Sequence, residues 1–440
     1  MNWNTLLSNK RFGMEDLHLQ NHDDRTEFQR DYDRLIFSSP FRRLQNKTQV
    51  FPLPGSIFVH NRLTHSLEVA CVGRSLGNGV SRKLQEKHAT QLSPFIDEIG
   101  AIVSAACLAH DLGNPPFGHS GEKAIATYFS EGEGFFLNNK MSAAEWTDIT
   151  SFEGNANAFR LLTHQFSGRR KGGFVLTYST LAAIAKYPYT SDHAPKGKQK
   201  FGFFQSEKDD FARIADELGL LKLGDYRYAR HPLVYLVEAA DDICYEIMDI
   251  EDAHKLRLLT TGETRELLLG FIPERSMSRT LETLDMVSDV NEQIAYLRSS
   301  VIGRLVGACV EAFVANEEAI LAGKFQSSLI KNIPDELRKA YCACEEISRG
   351  KIYRSKDVVD IEIAGYNIIY TLINRLTDAV FNREKAYSQM LLSRIPGQYE
   401  TDSTTAYGKV QSVLDFVSGM TDVYALDLYR KINGMSLPTL

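Results

Sequence analysis

The sequence predicts an all-α fold with at most one small β-hairpin, and two observations support this. Apolar residues recur at steps of three and four along most of the chain, which is the period of an amphipathic helix, and stretches with strand-like alternation are few and short. The 440 residues are 43% apolar and 24% charged, as is usual for a globular protein. That composition excludes a largely disordered chain, a collagen-like fibre and a disulfide-stapled miniprotein.

The individual elements follow from the same patterns. The helical period predicts helices within seven segments: 62–76, 96–109, 121–129, 155–163, 232–254, 281–322 and 360–392. Two short alternating runs, 49–53 and 57–59, flank a Pro-Gly pair and predict the hairpin. Residues 174–178 fit either a helix start or a strand. Three stretches that contain Gly, Pro, Asn or Ser predict loops: 130–142, 187–210 and 393–408.

A soft boundary near residue 254 predicts two regions. Residues 1–254 hold all eleven histidines and would form the core of the protein with its N-terminal segment, whereas 255–440 would form a helical region packed on that core. The six cysteines form no C-x-x-C pair, which predicts buried free thiols in a reducing compartment. The longest apolar run, 99–109, is about half the length of a membrane-spanning helix. We therefore expect a cytoplasmic protein without a membrane partner.

Histidines and aspartates near apolar helical segments predict a metal site. His110 and Asp111 follow the apolar run 99–109, where ionisable side chains are costly unless they are paired or bind a metal. His65 lies 45 residues before His110, and Asp241 lies 130 residues after Asp111. Imidazole and carboxylate without thiolate suit Mn, Fe, Ni, Zn or Mg. The alternative is that each histidine is an ordinary core or surface residue, and the spacing alone leaves both interpretations open.

Two further patterns have both a functional and a structural interpretation. His119 and Glu122 are three residues apart at an expected helix start, so the carboxylate can orient the imidazole. The same residues also fit an ordinary helix start. Asp241, Tyr245 and Asp249 follow at steps of four and share one helix face. That face would form either the wall of a substrate site or a solvated surface.

Longer strings around these residues add a family resemblance. They cover 42–53, 62–69, 110–119 and 238–245, and they contain His65, the adjacent His110 and Asp111, and Asp241 in the order H…HD…D. Together these strings resemble the bacterial deoxyguanosine triphosphate triphosphohydrolase (dGTPase) family of HD-domain phosphohydrolases. The resemblance is strong over 25–254 and loose beyond it. It identifies residues 1–254 as an HD-type core and 255–440 as a C-terminal extension.

The resemblance implies an activity and a metal site. Members of this family hydrolyse a deoxynucleoside triphosphate (dNTP) to a deoxynucleoside and inorganic triphosphate. By position, His65, His110, Asp111 and Asp241 would bind a divalent metal, Mn or Mg in the first place and Fe, Ni, Zn or Co as alternatives. His119, supported by Glu122, would donate a proton or activate water. No motif matches the residues that contact the base, so the substrate is dGTP with other dNTPs as alternatives.

The resemblance also implies contacts to the sugar and the phosphates. Tyr245 would pack against the deoxyribose and crowd a 2′-hydroxyl, while Gln49 and Asp249 would bind the 3′-hydroxyl. Arg62 and Lys186 would bind the phosphates. On the sequence alone Lys186 fits a surface charge equally well.

Partners and competing functions complete the expectations. Relatives assemble into hexamers or tetramers, and some bind single-stranded DNA as an effector. The net charge of −6 gives no global attraction to DNA, so binding would need the basic clusters at 169–171 and at Lys196, Lys198 and Lys200, which have aromatic residues nearby. These clusters also fit solvated loops. The competing functions are another HD nucleotidase or phosphodiesterase, and a non-catalytic regulator that binds nucleotide or single-stranded DNA.

Overall fold

The computed structural model describes residues 1–15, 24–51, 59–88, 92–195 and 199–435. Most of these residues are helical, and the part of the chain described contains one sheet, a two-stranded antiparallel hairpin. The predicted all-α class with minor β structure is confirmed. In the described ranges no helix is both long and apolar enough to cross a membrane.

The helices are numbered here in chain order. They are α1 Trp3–Leu6, α2 Glu27–Ile36, α3 Ser39–Arg43, α4 Arg62–Lys87, α5 Ile99–Ala109, α6 His119–Ser130, α7 Ala143–Thr150, α8 Gly154–Thr163, α9 Tyr178–Ile184, α10 Lys208–Glu217, α11 Val234–Lys255, α12 Thr261–Leu269, α13 Glu274–Met286, α14 Val290–Ala315, α15 Glu317–Leu321, α16 Asp335–Ile347, α17 Lys356–Phe381, α18 Ala386–Leu392, α19 Ala406–Ser418 and α20 Asp422–Ile432. The strands are β1 Lys222–Gly224 and β2 Arg227–Tyr228. Short 3-10 turns lie at Leu44–Asn46, Ile96–Glu98, Glu133–Lys140, Ser191–His193 and Leu329–Asn332, and a π-helical turn lies at Ser348–Ile352.

Several predicted elements differ from the structure. The hairpin predicted over 49–59 includes residues 52–58, which lie outside the described residues, while the observed hairpin occupies 222–228. The segment 281–322 is divided, because α13 ends at Met286 and the Asp289 carboxylate caps the start of α14. The predicted loop 130–142 contains a 3-10 turn over most of its length. Residues 174–178 lead into α9, whose first residue is Tyr178, so the helix-start interpretation is confirmed.

The helices that carry the candidate site are set by local sequence. α4 begins with a capping box, in which Asn61 Oδ1 accepts from Thr64 N at 3.0 Å and Thr64 Oγ1 accepts from Asn61 N at 3.1 Å. α5 lies against α4, and their backbones approach closely where a Cβ at Gly77 would lie 2.7 Å from Gly100 Cα. This close packing brings the start of α4 near the end of α5.

Two hydrophobic clusters form the core. The first cluster extends in sequence from Trp3 to Val358 and includes residues of α4, α5, α9, α11, α14 and α16. The second cluster contains residues of α6, α7, α17, α19 and α20. Each cluster draws residues from both sides of position 254. The boundary at 254 stays a prediction.

The cysteines are all free thiols, as predicted, but they are not all buried. Cys107, Cys244, Cys309 and Cys344 are buried, whereas Cys71 and Cys342 are exposed. The exposed pair lies on outward faces of α4 and α16. Both exposed cysteines have apolar neighbours in the sequence, and for this reason they were predicted to be buried.

Candidate active site

Three helices bring two histidines and two aspartates together. His65 lies in the first turn of α4, His110 and Asp111 directly follow α5, and Asp241 lies on α11. Asp241 Oδ1 is 3.0 Å from His65 Nε2 and 3.5 Å from His110 Nε2. One ligand atom from each of His65, His110 and Asp111 lies within 4.8 Å of the others. Residues up to 176 positions apart in sequence therefore meet at one point.

The donor set of this group fits a divalent cation. His110 Nδ1 lies 2.6 Å from the carbonyl oxygen of Cys107, which only accepts, so Nδ1 carries the proton and Nε2 faces the carboxylates. A second ring nitrogen fixed in this way is typical of histidines that bind metals. Asp111 Oδ2 accepts from Arg62 Nη1 at 2.7 Å, and Asn114 donates to Asp111 Oδ1. These bonds orient the carboxylate toward the imidazoles.

The charges in this group are strongly coupled. Burial lowers the pKa of His110, but the carboxylates of Asp111 and Asp241 outweigh it and raise that pKa to about 9. Burial raises the pKa of Asp111, yet the positive charge of Arg62 and His110 holds it below its usual value. The pKa of Asp241 is likewise well below its usual value, because the neighbouring imidazoles outweigh burial. Both carboxylates are therefore ionised at neutral pH, as metal ligation requires.

His119 and Glu122 form a second pair at the start of α6. His119 Nδ1 lies 2.7 Å from Glu122 Oε2, and the imidazole is 75% exposed. Glu122 Oε1 accepts from Gly154 N at 2.7 Å, so the first residue of α8 fixes the carboxylate. Burial raises the pKa of Glu122, but the hydrogen bond from His119 outweighs it and lowers that pKa overall. The imidazole is thus oriented by an ionised, anchored carboxylate, which suits a general acid or base.

The two groups share one cavity of about 180 Å³. Every predicted site residue except His65 and Asp249 lines it. His65 lies behind Asp241, to which its Nε2 is bonded. Asp249 is 5% exposed, and its Oδ2 accepts from the Tyr353 hydroxyl at 2.9 Å. The structure thus gathers nine predicted residues at the cavity and puts these two beside it.

The face of α11 that carries Asp241, Tyr245 and Asp249 is turned inward, so the solvated-surface interpretation is wrong. The Tyr245 ring packs edge-on to His65, with ring centroids 6.4 Å apart, and lies 5.9 Å from the Tyr353 ring. Gln49 also lines the cavity, and its Oε1 is buried and has no hydrogen-bond partner among the described residues. A polar acceptor and an aromatic ring therefore face the same space.

Positive side chains also reach the cavity. Arg62 is bonded to Asp111, and its Nε is buried without a hydrogen-bond partner in the ranges described. Lys186 Nζ lies 3.2 Å from Glu238 Oε1, and its side chain is only 28% exposed. The negative charge of Glu238 raises the pKa of Lys186 against the effect of burial. Both cations line the cavity rather than an open surface.

Sequence reasoning did not single out several lining residues: Asn114, Glu153, Asn155, Tyr187, Lys200 and Glu238. Lys200 was grouped with a basic loop, although its positive charge acts on both Glu122 and Glu153. Burial and the negative charge of Glu122 nevertheless raise the pKa of Glu153 overall. Glu153 caps α8 and therefore has the local pattern of any helix start. Only the adjacency of Asn114 to His110 and Asp111 gave a signal in the sequence.

The structure describes the basic clusters only in part. Lys196 and Lys198 lie outside the described residues. The aromatic residues near them are mostly core, with Phe201 and Phe203 at 0% exposure and Phe204 at 3%. These rings offer no stacking platform for bases. Arg169 and Arg170 instead line a second cavity of about 600 Å³, together with Arg34, Arg43 and Lys47.

Two family profiles match this chain: the HD domain at residues 62–176 and the phosphohydrolase-associated domain at 331–431. The chain is 41% identical to a deoxyguanosinetriphosphate triphosphohydrolase-like protein of Pseudomonas aeruginosa, with both chains covered completely. It is 34% identical to a protein of the same name from Listeria innocua, over 99% of this chain and all of that one. It is 30% identical to the deoxyguanosinetriphosphate triphosphohydrolase of Salmonella paratyphi A, over 92% of this chain and 93% of that one.

Proposed function

The chain belongs to the deoxyguanosinetriphosphate triphosphohydrolase-like HD-domain phosphohydrolases, and on that premise we propose that it hydrolyses deoxynucleoside triphosphates, dGTP among them, to a deoxynucleoside and inorganic triphosphate. One observation carries the proposal. The His65, His110, Asp111 and Asp241 group lies beside the His119–Glu122 pair at one cavity that positive side chains also line.

His65, His110, Asp111 and Asp241 are the proposed ligands of a divalent cation. Mn or Mg is the first choice, and Fe, Ni, Zn or Co are alternatives that also accept nitrogen and oxygen donors. The bound cation would supply Lewis-acid stabilisation of charge on the substrate phosphates. Arg62 and Asn114 hold the Asp111 carboxylate in its orientation.

His119 is the proposed proton donor. Its Nδ1 is bonded to Glu122, which leaves Nε2 for the substrate. A water oxygen bonds to the α-phosphorus, the bond from that phosphorus to the 5′-oxygen breaks, and the His119 proton passes to the 5′-oxygen. The attacking water releases one proton to the solvent, from which the exposed His119 imidazole is protonated again, and its oxygen stays on the triphosphate. Glu122 stabilises the charged imidazole before the transfer. Arg62, Lys186 and Lys200 offset the negative charge of the triphosphate, which is most of what phosphoryl transfer requires of a protein.

Selection of the sugar is assigned to Tyr245, Gln49 and Asp249. Tyr245 would pack against the deoxyribose and exclude a 2′-hydroxyl by contact. Gln49 and Asp249 are the proposed partners of the 3′-hydroxyl. Gln49 offers a buried acceptor oxygen, and Asp249 is connected to the same region through Tyr353. An unpaired buried acceptor is costly, so a substrate hydroxyl that pairs with it would bind more tightly.

A product analysis tests the proposal. Purified protein is incubated with each dNTP and each ribonucleoside triphosphate, with Mn, Mg or another divalent metal, and the products are separated by chromatography. We expect a deoxynucleoside and intact triphosphate from dGTP. Formation of dGMP and pyrophosphate, or of free phosphate alone, would contradict the proposal.

The same panel separates the competing functions. A nucleotidase or phosphodiesterase would turn over monophosphates or cyclic dinucleotides in place of dNTPs. The Tyr245 ring beside the metal ligands favours a deoxynucleotide. A regulator without catalysis would bind dNTPs tightly and leave them intact with every metal. The anchored His119–Glu122 pair favours turnover over that alternative.

Assembly and effector binding are proposed from the family alone. We expect a homo-oligomer, a hexamer or a tetramer, which light scattering on the eluting protein would measure. A single-stranded DNA effector would need positive charge, and the cavity lined by Arg34, Arg43, Arg169 and Arg170 concentrates it. Adding oligonucleotide to the dNTP panel tests this expectation, and an unchanged rate for every dNTP would contradict it.

A further inference from the structure

The residues on either side of His119 are held by the C-terminal helices. Phe117 N donates to Asp422 Oδ1 at 3.0 Å, and Ser120 Oγ donates to the Glu362 carbonyl oxygen. The Phe117 side chain lies against α17, where a Cβ at Gly365 would come within 2.5 Å of it. The segment from Phe117 to Ser120 is therefore fixed from outside the HD profile match at 62–176, by residues within or beside the match at 331–431.

This segment has a backbone that needs such support. Phe117 has φ of 61° and Gly118 has φ of 55°, both in the left-handed region. A non-glycine residue in that region is sterically unfavourable, and it persists where the surrounding structure over-determines it. Gly118 also lies against Arg62, since a Cβ there would be 2.5 Å from Arg62 Nη2. The turn that starts α6 is therefore strained and closely packed.

The same carboxylate also holds a second wall segment of the cavity, the one that carries Gln49. Asp422 Oδ2 accepts from Thr48 N at 2.7 Å, next to Gln49. Lys47 Nζ donates to the carbonyl oxygens of Asn114 at 2.6 Å and of Ser418 at 2.7 Å. Asp422 is 4% exposed, and Lys47 is 2% exposed. One buried acid and one buried amine thus connect both walls of the cavity to the junction between α19 and α20.

We propose that Asp422 and Gly365 are positioning residues for the hydrolysis, through which the C-terminal helices set the places of His119 and Gln49. This inference rests on the proposed function for its kinetic meaning. The structural part of the inference does not depend on the proposed function, because the bonds to Phe117 and Thr48 and the contact at Gly365 are features of the fold. Small displacements of an acid or a substrate contact are costly, and about 1 Å can lower a rate about 100-fold.

Two variants of the full chain test the inference. In Asp422→Asn one oxygen becomes an NH₂ group, which faces a backbone N–H and loses that hydrogen bond. We expect kcat to fall about 10- to 100-fold if the lost bond is the one to Phe117, beside His119, and KM to rise if it is the one to Thr48, beside Gln49. In Gly365→Ala the new Cβ pushes Phe117 alone, so kcat should fall by a similar factor while KM stays within about threefold. The control is Asp427→Asn on the same helix, whose carboxylate pairs with Lys431 at 2.7 Å on the surface.

Amide hydrogen exchange and thermal unfolding separate positioning from folding. Faster exchange in 111–122 for both variants, with an unchanged global unfolding temperature and unchanged Mn binding, supports the inference. Wild-type kcat and exchange in both variants would overturn it, as would a loss of kcat that matches the loss of folded protein. If Asp422→Asn does not fold, Gly365→Ala decides alone. A wild-type protein without triphosphohydrolase activity contradicts the proposed function. Amide hydrogen exchange in 111–122 of the two variants would still test whether Asp422 and Gly365 position this segment.

Discussion

Asp111 has three contacts at once, with Arg62, Asn114 and His110, so its replacement affects both chemistry and stability. We expect Asp111→Asn to lower turnover at least about 100-fold, since even the loss of partners outside a metal's ligands costs 10- to 100-fold. Asp111→Ala should in addition lower the free energy of unfolding by about 3 kcal/mol, because it leaves the buried Arg62 guanidinium without its carboxylate.

Product formation and urea unfolding measure the two effects separately. Asp33→Ala is a suitable control, because its carboxylate pairs with Arg25 at 2.7 Å in a largely exposed ion pair. Such pairs contribute about 1 kcal/mol or less. An Asp111→Asn protein that keeps a tenth of wild-type turnover would show that the carboxylate is not a ligand.

Tyr245 offers a test of sugar selection. Its ring packs against His65 and Tyr353 at the cavity. We expect Tyr245→Ala to lower the preference for dGTP over GTP about tenfold or more, measured as the ratio of kcat/KM values, because the ring proposed to exclude a 2′-hydroxyl is removed. Tyr245→Phe keeps the ring and should keep most of the preference. An equal loss in both variants would indicate that the hydroxyl, and not the ring, selects the sugar.

At the residue scale the sequence could predict the group of two histidines and two aspartates, but not the whole lining of the cavity. His110 and Asp111 follow a run of buried apolar residues, so their charges need partners. The amino-acid sequence alone shows this arrangement. Glu238 and Lys186 pair with each other from distant segments, and nothing local marks them as facing inward. Asp249 has the right spacing for the helix face of Asp241, yet Tyr353, a residue over a hundred positions later, takes its oxygen. Contacts between such distant residues depend on how the helices pack, and no local sequence pattern predicts them.

At the scale of elements, His60 connects the two long helices that carry His65 and Asp241. Its ring lies between Asp252 on α11, at 2.8 Å from Nδ1, and Glu68 on α4, at 3.1 Å from Nε2. Burial lowers the pKa of His60, but the hydrogen bonds to Asp252 and Glu68 outweigh it and raise that pKa to about 10. The charged imidazole therefore stabilises the α4–α11 pair at neutral pH.

The raised pKa predicts a pH-dependent stability. A histidine whose pKa is near 6.5 when unfolded and about 10 when folded contributes its full stability below pH 6.5 and loses it as the pH rises through 10. His60→Gln should therefore lower the free energy of unfolding by about 1–3 kcal/mol at pH 6, and by much less at pH 10.5. Urea unfolding at both values measures the difference. A deficit that is the same at both would mean that His60 is neutral in the folded protein.

The existence of the helices was predictable, because burial on one face imposes a period that the sequence shows. Their ends and the hairpin were not. β1 is exposed at all three residues, so no alternation of apolar and polar residues marks it. The division between α13 and α14 depends on the Asp289 cap, since apolar residues at helical spacing continue across it. Caps and exposed turns leave weaker signals than buried faces do.

At the scale of the whole molecule, several buried polar contacts connect the two hydrophobic clusters. Arg160 on α8 pairs with Asp415 on α19 at 2.8 Å and with Glu207 near α10. Asp422 and Lys47 form the further ties described above. Breaking one partner of such buried pairs costs about 3–5 kcal/mol, so the clusters cannot separate without a large loss of free energy. We therefore expect them to unfold together.

The two tryptophans allow a direct measurement of that coupling. Trp3 lies in the first cluster and is 4% exposed, while Trp146 packs against the second cluster, with its ring 6.3 Å from Phe129. Trp146→Phe leaves a probe in the first cluster, and Trp3→Phe leaves one in the second. In urea the fluorescence midpoints of the two variants should agree once each is compared with its own circular dichroism transition, because coincident probes indicate one cooperative unit. Separate midpoints would mean that the second hydrophobic cluster unfolds independently of the first, and the ties at Asp422 and Arg160 would then be too weak to align the site.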